Sequence, residues 1–162
     1  MRSHGLVLLL LATSTGSALG ASHSTIRLPG LVRIVRNSGM IFSGTVLSVK
    51  HHSADAANVP ATTQITFRVQ EAIRGVHRGQ VIQVREWGGL WQTGEQYHPG
   101  EHVILFLYPP SRLGLTSPVG GRLGRLSIDR AGRVALSDDE GKSARTIGVR
   151  TFAAAIRRSA RE

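Results

Sequence analysis

The sequence predicts a mainly β domain: about six or seven short strands curled toward a barrel, with a short helix at each end. Three observations carry this. Residues 40–49, 62–73 and 80–87 alternate apolar and polar positions with the period of two expected of a half-buried strand. Residues 102–108 are apolar in both phases, the pattern of a central strand covered on both faces. Pro109-Pro110 ends that run, because proline neither donates to a ladder nor continues a central strand.

The elements follow in order. Residues 1–20 read as an export signal, with Arg2 in a short basic opening and an apolar run from Leu6 to Ala12. Ala18-Leu19-Gly20 then supplies the small-x-small pattern of a signal-peptidase site. The apolar run falls short of the roughly 20 residues a permanent membrane helix needs, and no later stretch approaches that length. The chain is therefore expected to work outside the cytoplasm, secreted or periplasmic, without a transmembrane segment once the signal is removed. Residues 21–30 are polar and unpatterned, as in a flexible mature N-terminus. Leu31, Val32, Ile34 and Val35 form an apolar helical face opposite Arg33 and Arg36, and Asn37-Ser38-Gly39 closes the helix.

In the first strand Gly44 marks a bulge or a sharp coil. The second places Thr63, Ile65, Phe67 and Val69 on one side. A glycine-bounded turn, 74–79, joins it to the third strand, which makes a β-hairpin, with Ile82 and Val84 in one phase and Val81 and Gln83 in the other. Residues 88–100 read as a long irregular connection. Shorter strands are expected at 113–119, 123–128 and 133–136, the last two joined by the Asp129-Arg130-Ala131-Gly132 turn. Thr151 opens a final helix with Phe152, Ala155 and Ile156 on one face. The expected organisation is a signal at 1–20, a flexible segment at 21–30, one barrel domain at 31–158 and a tail at 159–162.

The net charge is +10, and 18 of the 20 basic residues are arginine, Lys50 and Lys142 being the exceptions. These arginines are scattered rather than gathered into a stripe, so they predict a solvated basic surface and no specific nucleic-acid site. The chain contains no cysteine, which removes disulfides, thiol nucleophiles and cysteine metal sites together.

No motif carries catalysis or metal binding. His98-Pro99-Gly100-Glu101-His102 has histidines four apart, but Pro99-Gly100 prevents the helix that would put both imidazoles on one face. His51-His52 point to opposite faces of a strand. Gly120-Gly121-Arg122-Leu123-Gly124-Arg125 feeds a strand, not the helix a phosphate-cradling loop requires. Asp138-Asp139-Glu140-Gly141 lacks the alternating oxygens of a calcium loop, and no Gly-x-Ser-x-Gly elbow is present. Metal, cofactor and catalytic residues are accordingly expected to be none. Trp87, Trp91 and Tyr97 either form a recognition surface or fold back as a lid, and burial of aromatic area favours the lid. Together with Arg68 and Arg85 they are the candidate binding residues.

Met40-Ile41-Phe42-Ser43-Gly44-Thr45-Val46, then Thr66-Phe67-Arg68-Val69 with Ala72-Ile73-Arg74-Gly75, then Gly79-Gln80-Val81-Ile82-Gln83-Val84 and Pro99-Gly100-Glu101-His102-Val103-Ile104-Leu105-Phe106-Leu107 form an ordered set. It resembles the netrin-like and tissue-inhibitor-of-metalloproteinases-like domains over residues 31–136, in particular their secreted bacterial members. That resemblance implies a small OB-like (netrin-like) β-barrel of five to seven strands with a short helix at each end. It does not imply protease inhibition, because the inhibitors act through an N-terminal cysteine that this chain lacks. The expected function is a secreted, non-enzymatic binding module for a protein or polymer of the cell envelope. The alternatives are an envelope enzyme with a dispersed site such as His98, Glu101 and His102, or weak electrostatic binding of polyanions through Arg68 and Arg85.

Overall fold

A computed structural model describes residues 26–54, 60–93, 96–137 and 144–159. The predicted export signal, residues 21–25, most of the loop after His52, the acidic run at 138–141 and residues 160–162 lie outside the described residues.

The chain runs β1 (Ile26–Arg27), α1 (Leu28–Asn37), β2 (Met40–His52), β3 (Thr62–Arg74), β4 (Val81–Trp87), α2 (Gly88–Thr93), β5 (His102–Leu107), β6 (Arg125–Ser127), β7 (Arg133–Ser137), β8 (Ala144–Gly148) and α3 (Val149–Ser159). It is mainly β. Five strands make one antiparallel sheet in the order β4-β3-β2-β5-β6, and β1-β7-β8 form a second, smaller sheet. Among the described residues no strand pairing joins β4 to β6, so the large sheet is open at both margins. No described helix is long and apolar enough to cross a membrane.

Alternation explains how the layers assemble. Phe42 and Val46 of β2, Ile65, Phe67 and Val69 of β3, Ile82 and Val84 of β4, and Val103, Leu105 and Leu107 of β5 share one core. Ile41 of β2 and Ile104 and Phe106 of β5 face the other way, into a second core closed by α1, α3, β6 and β7. The doubly apolar run 103–107 is thus buried on both faces, each of its five residues at 0% exposure.

The helices dock by their apolar faces and are tied by polar ends. In α1, Pro29 sits in the first turn, where its missing N–H breaks no helical bond. Leu31, Ile34 and Val35 pack inward, while Val32, expected on the same face, is exposed. At its C-terminus the Ser38 hydroxyl donates to Ile34 O at 2.7 Å, and Arg74 Nη1 donates to Val35 O at 2.6 Å and Ser38 O at 2.9 Å. In α3 the buried face is Phe152, Ala153 and Ile156, and Ala155, expected inside, is exposed. Arg157 Nη2 donates to Ala72 O at 2.6 Å, fastening α3 to β3.

Other expectations also differ. Ile26 and Arg27, expected in a flexible segment, pair in parallel with Leu136 and Ser137. Residues 113–119 are not a strand: Gly114 is left-handed (φ 70°), and a turn bonds Ser111 to Leu115. Only Pro118 bridges to Leu107 there, since a proline supplies no N–H to extend a ladder. Residues 121–124 form a 3₁₀ turn before the three-residue β6. The stretch 88–93, expected irregular, is α2, and β8 arises from Ala-Arg-Thr-Ile-Gly, which has no alternating pattern to reveal it.

Gly44 lies where the β2–β3 register slips, as its place in the first strand suggests. A Cβ there would meet Arg68 O at 2.7 Å, a backbone atom that cannot move without breaking the pairing. Gly44→Ala is expected to lower unfolding free energy by about 1–3 kcal/mol, read as a lower urea midpoint at unchanged slope.

Candidate functional site

The inward phase of β4 runs Ile82, Val84, Glu86, so the alternation that builds the core ends by turning a carboxylate inward. Glu86 is 6% exposed, and its Oε1 accepts a hydrogen bond from the Tyr97 hydroxyl at 3.0 Å. Tyr97 returns from the connection after α2 and packs edge-on against Phe67, ring centroids 5.7 Å apart. The Arg125 guanidinium, from the first residue of β6, lies 4.3 Å from the centre of the Tyr97 ring. Its Nη2 donates to both oxygens of Glu101 at 2.6 and 2.7 Å and to Gln96 O at 3.1 Å. Glu101 Oε2 also accepts the His98 amide at 3.2 Å, which closes the turn leading into β5.

These groups form the floor of a cleft of about 420 Å³, walled by Leu90, Tyr108 and Pro118, with Gly120-Gly121 and Arg122 at its mouth. Leu90, Tyr108 and Ser117 are shared with an adjoining cleft that runs to Trp87, Leu115 and Pro109. The two form one groove, mainly apolar in lining, more enclosed at the Glu86 end, where the buried polar groups sit, and more open at the Trp87 end.

Burial pushes the Glu86 carboxyl up to about 7, although the Tyr97 hydrogen bond and the Arg125 charge both oppose the rise. Burial and the neighbouring Glu86 hold the Tyr97 hydroxyl well above its ordinary range. Near neutral pH the Glu86 carboxyl therefore exchanges its proton, while the Tyr97 phenol keeps its own.

The end of β4 and the connection that follows it divide their aromatics between two roles. Tyr97 is packed at 3% exposure, whereas Trp87 is 55% exposed with its ring against Gly89. Trp91 belongs to α2, and its side chain lies outside the described residues. Arg68 and Arg85 are exposed on the outer face of β3 and β4, but Arg68 is opposite Val81 and Arg85 opposite Gln64. Four residues of strand, roughly 13 Å, separate them, and they do not converge with the groove. Nor do His98, Glu101 and His102 assemble a site: Glu101 is committed to Arg125, and His98 and His102 are exposed. Among the described residues no three acidic or histidine side chains come together as metal ligands.

Glu86, Tyr108, Arg122 and Arg125 are floor and wall residues that sequence reasoning passed over. Glu86 carried a usable signal, since it continues the inward phase of Ile82 and Val84. Arg125 carried none, because its partners are 24 and 29 residues away. No family model, curated protein or solved structure matches this chain.

The raised Glu86 carboxyl has a stability consequence. The folded state holds this proton more tightly than the unfolded chain, so the contribution is full below about pH 4.5. It is lost as pH rises toward about 7, and is level above that. Glu86→Gln removes the effect, so its stability relative to the parent should rise by about 3 kcal/mol between pH 4 and pH 8, measured by urea unfolding. Parallel pH profiles for the two proteins would show a carboxyl with an ordinary pKa.

Proposed function

We propose that this protein is an exported, non-enzymatic binding module that seats a segment of an extracytoplasmic protein or polymer in the groove between Trp87 and Glu86. The observation that carries the reading is the groove itself. Exposed Trp87 and Tyr108 offer flat apolar area at one end, and at the other the buried Glu86, Tyr97 and Arg125 offer fixed polar groups. Binding sites combine these in this way, apolar walls supplying area and a few placed polar groups supplying orientation. Export is supported by the leader pattern at 1–20.

An OB-like, netrin-like barrel is the finer fold reading that goes with this function. It is supported by the ordered motif set, by the shared core of β2, β3, β4 and β5, and by the Thr116 amide, which donates to Arg85 O at 2.9 Å and draws the chain after β5 against β4. A second reading, proton transfer by an envelope enzyme, is favoured by one observation only: Glu86 titrates near 7 beside Tyr97 in a cleft.

Immobilised full-length protein, probed with fragments of cell-envelope polysaccharides and with a peptide library, should retain one class. Trp87→Ala or Tyr108→Ala should weaken that retention about tenfold or more. Retention unaffected by both changes overturns the groove as the binding site. Turnover of a retained probe that disappears in Glu86→Gln while retention persists would replace the binding reading with the enzymatic one.

A further inference from the structure

A second cleft, of about 360 Å³, lies on the opposite face of the large sheet, between β2, β3 and β5 and the start of α3. Three features of it belong together. The first is Ser43, 1% exposed, whose Oγ has no hydrogen-bond partner among the described residues. Ser43 is directly opposite Glu71 on β3, and the neighbouring pair Thr45–His102 puts His102 on the same face. Glu71 and His102 also line the cleft, so the hydroxyl lies on the side where the cleft opens. A buried hydroxyl with nothing to bond is costly unless a ligand meets it.

The second feature is the N-terminus of α3, an 11-residue helix that follows β8 without a break and lines the cleft through Gly148, Arg150 and Thr151. The Val149 amide bonds Gly132 O at 3.0 Å. The amides of Arg150 and Thr151 belong to the first turn, whose N–H groups have no acceptor within the helix. That turn contains no acidic residue and instead carries Arg150, a cation at the positive end of the helix dipole. Such an arrangement is unfavourable until an anion sits there.

The third feature selects among anions. Glu71 lines the same cleft, its Oε2 accepting a hydrogen bond from Arg157 Nη2 at 3.3 Å, so a carboxylate borders any ligand there. A carboxylate oxygen repels a bare oxyanion but accepts a hydrogen bond from one that carries a proton. We propose that this cleft binds a tetrahedral oxyanion that keeps a proton, hydrogen phosphate or the monoprotonated form of a phosphate monoester. Ser43 and the α3 amides donate to the unprotonated oxygens, and the P–OH donates to Glu71. The site is separate from the groove on the other face and stands whether or not that groove binds a polymer.

The test is a titration of the full chain followed by amide NMR, at pH 6, where both phosphates retain a P–OH, and at matched ionic strength, with inorganic phosphate, sulfate and glycerol phosphate. Phosphate should shift the amides of Gly148, Arg150 and Thr151, and sulfate, which carries no proton at this pH, should bind at least about tenfold more weakly. Ser43→Ala should weaken phosphate about tenfold while leaving the melting temperature unchanged or higher, because it deletes a hydroxyl with no partner among the described residues. Glu71→Gln should narrow the gap between phosphate and sulfate. Glycerol phosphate binding more tightly than phosphate would assign the site to an esterified ligand, and the reverse order to the free ion. Amides that do not respond, equal binding of phosphate and sulfate, or an undiminished affinity in Ser43→Ala would each overturn the proposal.

Discussion

The structure depends on β5 being covered on both faces. Its alternate residues feed two cores: Val103, Leu105 and Leu107 meet β2, β3 and β4, while Ile104 and Phe106 meet Ile41 of β2, the helices and the smaller sheet. A slip of one residue between β2 and β5 would exchange these two sets and send every side chain to the wrong layer. The pairing of Met40 to Leu107 through Thr45 to His102 therefore sets both cores at once. It also sets both clefts. The groove at Tyr97 abuts the first core, and Ser43, flanked by Ile104, borders the second. Neither cleft can be repositioned without disturbing the strand between them.

Arginine plays an unexpectedly internal part in this arrangement. Arg74 holds the end of α1, Arg157 ties α3 to the end of β3, and Arg125 ties β6 to Glu101 and Gln96. Arg157 reaches Ala72 O with two nitrogens of its guanidinium, Nε and Nη2, while Arg74 and Arg125 each serve several acceptors from one terminal nitrogen. The high positive charge of the chain is thus partly a by-product of how its layers are fastened. Total charge is correspondingly a weak guide to what the molecule binds.

The parts legible in the sequence were those governed by short-range pattern. The phases of residues 62–73 and 80–87, the double burial of 103–107 and the irregularity at Gly44 follow from period and residue type alone. What escaped was tertiary in origin. Two residues at Ile26–Arg27 become a strand only because β7 lies beside them, and Ala144–Gly148 is a strand for the same reason. Val32 and Ala155 satisfy the helical pattern of a buried face but lie on its rim, where the docking angle leaves them in solvent. Of the candidate binding residues, Trp87 and Tyr97 come to opposite ends of one groove, while Arg68 and Arg85 remain apart on the outer face. The charged floor, Glu86 with Arg125, required distant segments to meet and could be read only in part.

The hydrogen bond from Thr116 to Arg85 carries a further consequence. An unpaired strand at the margin of a sheet offers carbonyls and amides on which another molecule can add a strand. Here the segment between Pro110 and Pro118 occupies part of that margin, and its prolines cannot themselves extend a ladder. The same loop that walls the groove therefore covers part of the β4 margin, so one stretch of backbone both shapes a cleft and shields a sheet edge.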